Sequence, residues 1–570
     1  MNIQTITFRL RALAIACCCL WAVASSWAAV PAEIFVPVPA GDATPVLRRA
    51  IAKASACKGA PVVIRLEAGN YHLYRNTASA HEYHVSNTAS AEECPDGTKH
   101  IGLWLRGLSN VTVDGGGACF VTHGEMSFLV VDECDSIVLK NFSLKAADPT
   151  VAEMTVVAAG PRWMDVRPAA DSRFDLSGGR LAWVGEGWRF DGGVAQVYYP
   201  RRNVTERCPS PLEGLVGARQ LAGGVVRLSY RDSVWARAGH VFQMRHAIRN
   251  EVCGLIRRSR NVVLDNLQLH FLGNFGIVGQ YSENLTYRRL HCEPGRGSGR
   301  TCAGFADFVQ MSGCRGKVTI TDSRFVGAQD DPINIHGTHL KVVGFMGGGR
   351  VRLRFMHGQS YGFDAFAEGD EIDFVDVHSL LPLQRARVVG AQRAGDYEVV
   401  LSLDRPVSEQ VLSADGVAVE NVTWTPEVEI RGNYFARTPT RGILVTTRRK
   451  VVIADNLFYR LPMSAVLMAD DARGWYESGP VADVTVTGNV FVECGSPVIS
   501  VAPEVDRHAG PVHRNIRIEG NTFVMAGGLA VGARATDGLR FRGNSIYGPC
   551  SQGLDSLVAT DRCTNVDIGR

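Results

Sequence analysis

An asparagine that returns at the spacing of a stacked rung constrains this chain more than any other feature. Short β-branched runs end at Asn433, Asn456, Asn489, Asn521 and Asn544, in segments such as Val428-Glu429-Ile430-Arg431-Gly432-Asn433 and Val484-Thr485-Val486-Thr487-Gly488-Asn489. These asparagines lie 23, 33, 32 and 23 residues apart, a core unit of 23 with room for loop insertions. Each run alternates apolar and polar residues, as a half-buried strand does, and breaks at Gly-Asn or Asp-Asn, where a residue able to take positive φ is wanted. Val262-Val263-Leu264-Asp265-Asn266 reads as an earlier copy. One unit cannot bury its apolar face, but stacked units can. The expected fold class is therefore all-β, a parallel β-helix with strands ~4.8 Å apart along the axis. A β-sandwich or propeller would instead show hairpin-linked strands at shorter, even spacing, or blades of ~40 to 50 residues.

The repeat is interrupted twice, over 150–245 and 341–420. Alternating strands separated by Gly-rich turns fill both stretches, among them Arg350-Val351-Arg352-Leu353-Arg354-Phe355 and Tyr397-Glu398-Val399-Val400-Leu401-Ser402, and both read as inserted antiparallel, barrel-like β domains. That leaves 29–149, 246–340 and 421–570 for the β-helix. The 60 glycines among 570 residues exceed the usual ~7% and suit a fold with many corners. Thr44-Pro45 ahead of Val46-Leu47-Arg48-Arg49-Ala50-Ile51 reads as an N-cap, a proline at the first helical position and an amphipathic helix placed to cover the open first rung.

Arg9 and Arg11 precede an apolar run over 12–24 and then Ser26-Trp27-Ala28, the order of a secretory signal peptide spanning 1–28. The run is too short to cross a bilayer, so no membrane association is expected after cleavage. The location expected is secreted or periplasmic. Cleavage would remove Cys17, Cys18 and Cys19 from the 15 cysteines, leaving 12. In an oxidising space, Cys292 with Cys302 and Cys550 with Cys563 are close enough to staple single loops, while Cys314 and Cys494 read equally as buried free thiols. No CxxC or CxxH spacing occurs in the mature chain, so neither a metal nor another cofactor is expected. A net charge of +3 is too small to grip nucleic acid.

Chemistry is concentrated between the two interruptions. Asp307 and Asp330 are 330 − 307 = 23 residues apart, one rung, with Asp331 next door. Carboxylates gathered on one face repel one another, and at least one acquires a raised pKa. A protonated acid beside an ionised base is what glycoside hydrolysis requires. Asn334 and His336, two apart in a strand, project to one face and suit sugar hydroxyls. A solvated Asp-Asp turn and a calcium site are the competing readings of the acidic cluster.

These segments, Asp307...Ser312-Gly313-Cys314-Arg315-Gly316 and Asp330-Asp331-Pro332-Ile333-Asn334-Ile335-His336-Gly337, resemble glycoside hydrolase family 110, the exo-acting α-1,3-galactosidases that include blood-group-B-cleaving enzymes. Gln280-Tyr281-Ser282-Glu283-Asn284, Arg441-Gly442-Ile443-Leu444-Val445 and Trp475-Tyr476-Glu477-Ser478-Gly479 resemble it too. The resemblance implies a right-handed parallel β-helix with inserted β-barrels and an inverting, metal-free mechanism. It makes Asp307 the general acid and the Asp330/Asp331 pair the holder of the water. Phe308-Val309-Gln310-Met311 departs from the family's preference for small residues and a His. Trp475, Glu477, Arg245 and Arg249 are further candidates for substrate contact. The implied partner is a galactose-terminated oligosaccharide or glycoconjugate, with a homo-oligomer left open. A polygalacturonase-like hydrolase is one alternative, although its Asn-Thr-Asp, Gly-His-Gly and Arg-Ile-Lys segments are absent. A non-catalytic carbohydrate-binding or adhesin solenoid is the other.

Overall fold

The computed structural model describes residues 31–548 and 553–569. The expected signal peptide and Cys550 lie outside the described residues. Within them the chain is a parallel β-helix carrying two antiparallel insertions. Strands of successive rungs pair in parallel and in register, Val428↔Val451, Val451↔Val484, Val484↔Ile516 and Ile516↔Leu539 among them. Among the described residues no helix is long and apolar enough to cross a membrane.

The recurring asparagines are a hydrogen-bonded ladder. At each corner the residue before the asparagine takes the left-handed conformation: Gly432 at φ 69°, Asp455 at 57°, Gly488 at 66°, Gly520 at 65° and Gly543 at 61°. The asparagine itself turns inward. Asn433 Nδ2 donates to Asn456 Oδ1 at 3.0 Å and to Ile320 O at 3.0 Å, while Asn433 N donates to the same Asn456 oxygen at 2.9 Å. The pattern repeats from Asn456 to Asn489, Asn521 and Asn544. Ser323 ends the ladder, its N–H donating to Asn433 Oδ1 at 2.9 Å. Asn266 does not belong to it. Its φ of 55° and exposed side chain put it at the corner position of Gly432, one residue out of step, as the register Asp265↔Arg288↔Thr321↔Arg431 requires. Inside the same rungs Phe325, Phe435, Phe458, Phe491 and Phe523 stack with ring centroids 4.7 to 5.3 Å apart.

The two insertions close differently. In the second, the strand Ile333–Phe345 pairs with Arg350–Arg354, then Glu398–Leu403, Pro382–Arg393, Glu371–Asp376 and Val417–Asn421, which returns to pair with Ile333–Phe345. The circuit is a barrel without free edges. Its first strand begins as a β-helix rung, Ile333–Ile335 pairing in parallel with Val309–Met311 and Ile443–Val445, so barrel and helix share one continuous strand. The first insertion is a seven-stranded antiparallel sheet with a separate three-stranded sheet, and its outer strands Val204–Cys208 and Leu215–Gln220 are not paired with each other.

Two local expectations need correction. The capping helix starts at Thr44, not after it: Ala43 is the N-cap, Pro45 lies in the first turn, and the Asp42 carboxylate accepts from Thr44 N at 2.9 Å. Leu47, Ala50 and Ala54 are buried against the first rungs. Cys292 and Cys302 are free, buried thiols, because Cys302 Sγ is turned to Glu153 Oε1, 3.1 Å away in the first insertion. Cys314 and Cys494 are likewise buried and free.

Candidate active site

The register builds the site. Val309 pairs with Ile333 and Ile333 with Ile443. Continued back two residues, with Phe308 N donating to Asp331 O at 3.4 Å, it stacks Asp307, Asp331 and Arg441 on three consecutive rungs. The backbone register therefore sets Asp307 opposite Asp331, 331 − 307 = 24 residues on, while Asp330, 23 residues on, is the carboxylate that weighs most on Asp307. Asp330 sits one residue outward at the corner, its side chain 23% exposed. Gly276 lets this corner pack: a Cβ there would lie 2.3 Å from Asp307 O and 2.2 Å from Phe308 O.

Stacked carboxylates at low dielectric compete for protons. Asp307, 6% exposed, has its carboxyl pushed well above the usual range by burial and then by Asp330 and Asp331. Asp331, 2% exposed, is also raised by burial, but the Arg441 guanidinium opposes the shift. Arg441 Nε lies 3.0 Å from both Asp331 oxygens, Nη2 lies 2.5 Å from Oδ2, and Arg441 N donates to Oδ1 at 3.2 Å. Such a fork holds the anion in both charge and orientation. Asp330 meets a weaker cation, Arg207 Nη2 of the first insertion at 3.5 Å.

The remaining sequence candidates divide into two layers. Asn334, Glu477, Trp475 and Arg249 line one cleft of about 280 Å³ with the three aspartates. Glu477 Oε1 accepts from Asn87 Nδ2 at 2.8 Å and Asn334 Nδ2 at 3.4 Å. Trp475 is 47% exposed, and its loop is fastened by the Asp471 carboxylate, which accepts from Arg473 N, Gly474 N, Trp475 N and Tyr476 N. His336 and Arg245 stand behind the cleft wall. His336 Nδ1 is 2.6 Å from Gly337 O, and its Nε2 is 3.2 Å from Gln310 Nε2 and 3.5 Å from Glu477 Oε1. Arg245 Nε donates to Gln329 Oε1 at 2.9 Å, and its guanidinium covers the Phe305 ring at 4.3 Å.

Sequence reasoning left Arg441, Arg207, Asn87 and Asp471 unassigned, and all four line the cleft. Arg441 opens the segment Arg441-Gly442-Ile443-Leu444-Val445, but its place beside Asp331 depends on a register that crosses the whole barrel insertion.

Comparisons with known proteins identify the chain's relatives. A family model described as GLAA-B beta-barrel domain II matches residues 350–417, the heart of the closed barrel. The chain is 47% identical over 500 residues to alpha-1,3-galactosidase A of Bacteroides thetaiotaomicron, covering 87% of this chain and 88% of that one. It is 38% identical over 537 residues to alpha-1,3-galactosidase A of Streptomyces avermitilis (90% and 85%). It is 30% identical over 588 residues to alpha-1,3-galactosidase B of Phocaeicola vulgatus (92% and 93%). Among solved structures, the A-module of the Azotobacter vinelandii mannuronan C-5 epimerase AlgE6 aligns over 94% of this chain and 96% of its own at 13% identity, with a TM-score of 0.40.

Proposed function

This chain belongs to glycoside hydrolase family 110, the α-1,3-galactosidases, and we propose that it is an exported, exo-acting enzyme that removes terminal α-1,3-linked galactose with inversion of configuration. The observation that carries the reading is the stack of Asp307, Asp331 and Arg441. Inversion needs one protonated and one ionised carboxyl group around the anomeric carbon. Asp307, buried among other carboxylates with no cation in bonding contact among the described residues, keeps its proton and gives it to the departing glycosidic oxygen. Asp331, forked by Arg441, stays ionised and with Asp330 takes a proton from water. That water attacks the anomeric carbon, the glycosidic bond breaks, and β-galactose leaves with the shortened glycan. Asn334, Asn87 and Glu477 offer hydrogen bonds to the galactose hydroxyls, and Trp475, at the exposed end of the cleft, offers a ring to a C–H face of the bound glycan.

The register favours a second assignment of roles. Asp307 and Asp331 face each other across one rung, as two groups sharing a water would, which leaves the outward Asp330 to serve as acid. Leaving-group dependence separates the two. The acid variant, Asp307→Asn or Asp330→Asn, keeps its turnover of α-galactosyl fluoride, whose fluoride departs without strong protonation, far better than its turnover of an α-1,3-galactoside. The overall reading is tested by NMR of the first-formed galactose from an α-1,3-galactoside. The β anomer is expected, and an initial α anomer overturns inversion. For export, the N-terminus of secreted protein is expected near Ala29.

A further inference from the structure

We infer that the sugar unit to which the galactose is attached rests on the two rungs after the catalytic pair, on an apolar floor formed by Leu444, Leu467 and Met463 and walled by Trp475. The inference rests on the galactosidase reading above. It starts from one row of outward-facing side chains across the sheet, Gln310↔Asn334↔Leu444↔Leu467. Asn334, Leu444 and Leu467 of this row floor the cleft, whose chemistry changes from amide to aliphatic between the rung of Asp331 and the rung of Arg441, while Gln310 is buried beyond it.

The two ends also differ in access. At the amide end Asp307, Asn87 and Asn334 are each more than nine-tenths buried, and Asn334 Oδ1 finds no donor among the described residues, so an acceptor is held ready for a hydroxyl. Arg249, which lines the cleft, is itself held by a bridge of three segments: Arg249 Nη2 donates to Gln359 Oε1 at 2.6 Å, and Gln359 Nε2 donates to the Glu93 carboxylate at 3.0 Å. At the aliphatic end Met463 is 43% and Trp475 47% exposed. An enzyme that takes only terminal units must close behind the unit it removes and leave the rest of the glycan a way out. The exit is therefore over the aliphatic rungs.

The floor suits that role. A pyranose presents a C–H-rich face that gains from aliphatic and aromatic contact, while its hydroxyls stay in water at the open edge. Trp475 is set in advance: His357 of the barrel stacks on it at 4.2 Å and 28°, leaving one ring face for the glycan and little rotamer freedom to lose on binding.

The test compares two substrates. α-Galactosyl fluoride occupies only the terminal-unit site, whereas an α-1,3-galactosyl oligosaccharide occupies both. In Leu467→Asp, the ratio of kcat/KM for the oligosaccharide to kcat/KM for the fluoride is expected to fall about tenfold or more, mainly through KM. Met463→Asp, at an exposed position, should show the same direction if Leu467→Asp folds poorly, and Leu467→Met should leave the ratio near its original value. An unchanged ratio in both aspartate variants overturns the inference, whether both activities fall together or neither falls. Wild-type protein that cleaves the fluoride but no α-1,3-galactoside defeats the galactosidase reading itself, and this inference with it.

Discussion

The C-terminal rungs and the catalytic rungs use one geometry to opposite effect. Both place a polar side chain directly over its counterpart on the next strand. In the C-terminal rungs that residue is asparagine, which carries both a donor and an acceptor, so Asn433, Asn456, Asn489, Asn521 and Asn544 satisfy each other in sequence. In the rungs of the proposed site it is aspartate, which when ionised only accepts, and burial, followed by the crowding of neighbouring carboxylates with Asp330 foremost, raises the carboxyl pKa values of Asp307 and Asp331. The exchange of an amide for a carboxylate at a stacked position separates a structural support from the proposed reactive centre.

The largest break of this contrast is to give the catalytic rungs the ladder's chemistry. Asp307→Asn and Asp331→Asn should each lower kcat/KM on an α-1,3-galactoside by about 10³-fold or more; melting curves should show no loss of stability for Asp307→Asn, whereas Asp331→Asn leaves Arg441 without its carboxylate and should melt lower. The pH dependence has a definite sign. Because folding raises both carboxyl pKa values, their contribution is fully present below the unfolded value near ~4 and is lost as pH climbs through the folded ones. The stability of each variant relative to wild type should therefore improve from pH 4 towards pH 8. A variant that is least stable at high pH would contradict the stacked-carboxylate account.

The converse exchange puts a carboxylate into the ladder. Asn489→Asp loses the donations from Nδ2 to Ile453 O and Asn521 Oδ1 and should cost about 3 kcal/mol in denaturant unfolding at neutral pH. The cost should be smaller in acid, where the protonated group donates again, and kcat/KM on folded protein should be unchanged. Next in size is Arg441→Ala, expected to lower kcat/KM by about 10²-fold and to move the acidic limb of its pH profile upward, since Asp331 then ionises only at higher pH. Arg441→Lys should return part of the shift. Smallest is Phe458→Leu, which interrupts the ring stack for about 1.5 kcal/mol, read from the urea midpoint, without altering turnover.

What the sequence disclosed followed from what repeats. Gly-Asn and Asp-Asn corners at fixed spacing identified the parallel stack, and the three aspartates stood out because they share a rung interval. The details that escaped depend on single-residue register. Asn266 has the right neighbours but occupies the corner itself. Asp307 meets Asp331 because the rung between them holds one residue more than the ladder's core unit. Arg441 is 110 residues from Asp331 and adjacent to it only because the barrel returns the chain to the next rung. Cys292 and Cys302 are near in sequence, yet Glu153, brought in by the first insertion, claims one of them.

The ladder counts rungs and ignores how much chain lies between them, so its spacings mark where the molecule can be edited. The interval from Asn456 to Asn489 exceeds the core unit by 33 − 23 = 10 residues, and that from Asn489 to Asn521 by 32 − 23 = 9. The first surplus brackets Trp475 and Glu477, and the second brackets Glu504, all three on the rim of the cleft. Under the proposed function, the side chains that meet the glycan thus sit in segments whose length can drift without disturbing the scaffold, which gives a lineage built on this frame a short route to new glycans and gives an engineer the places to cut and splice.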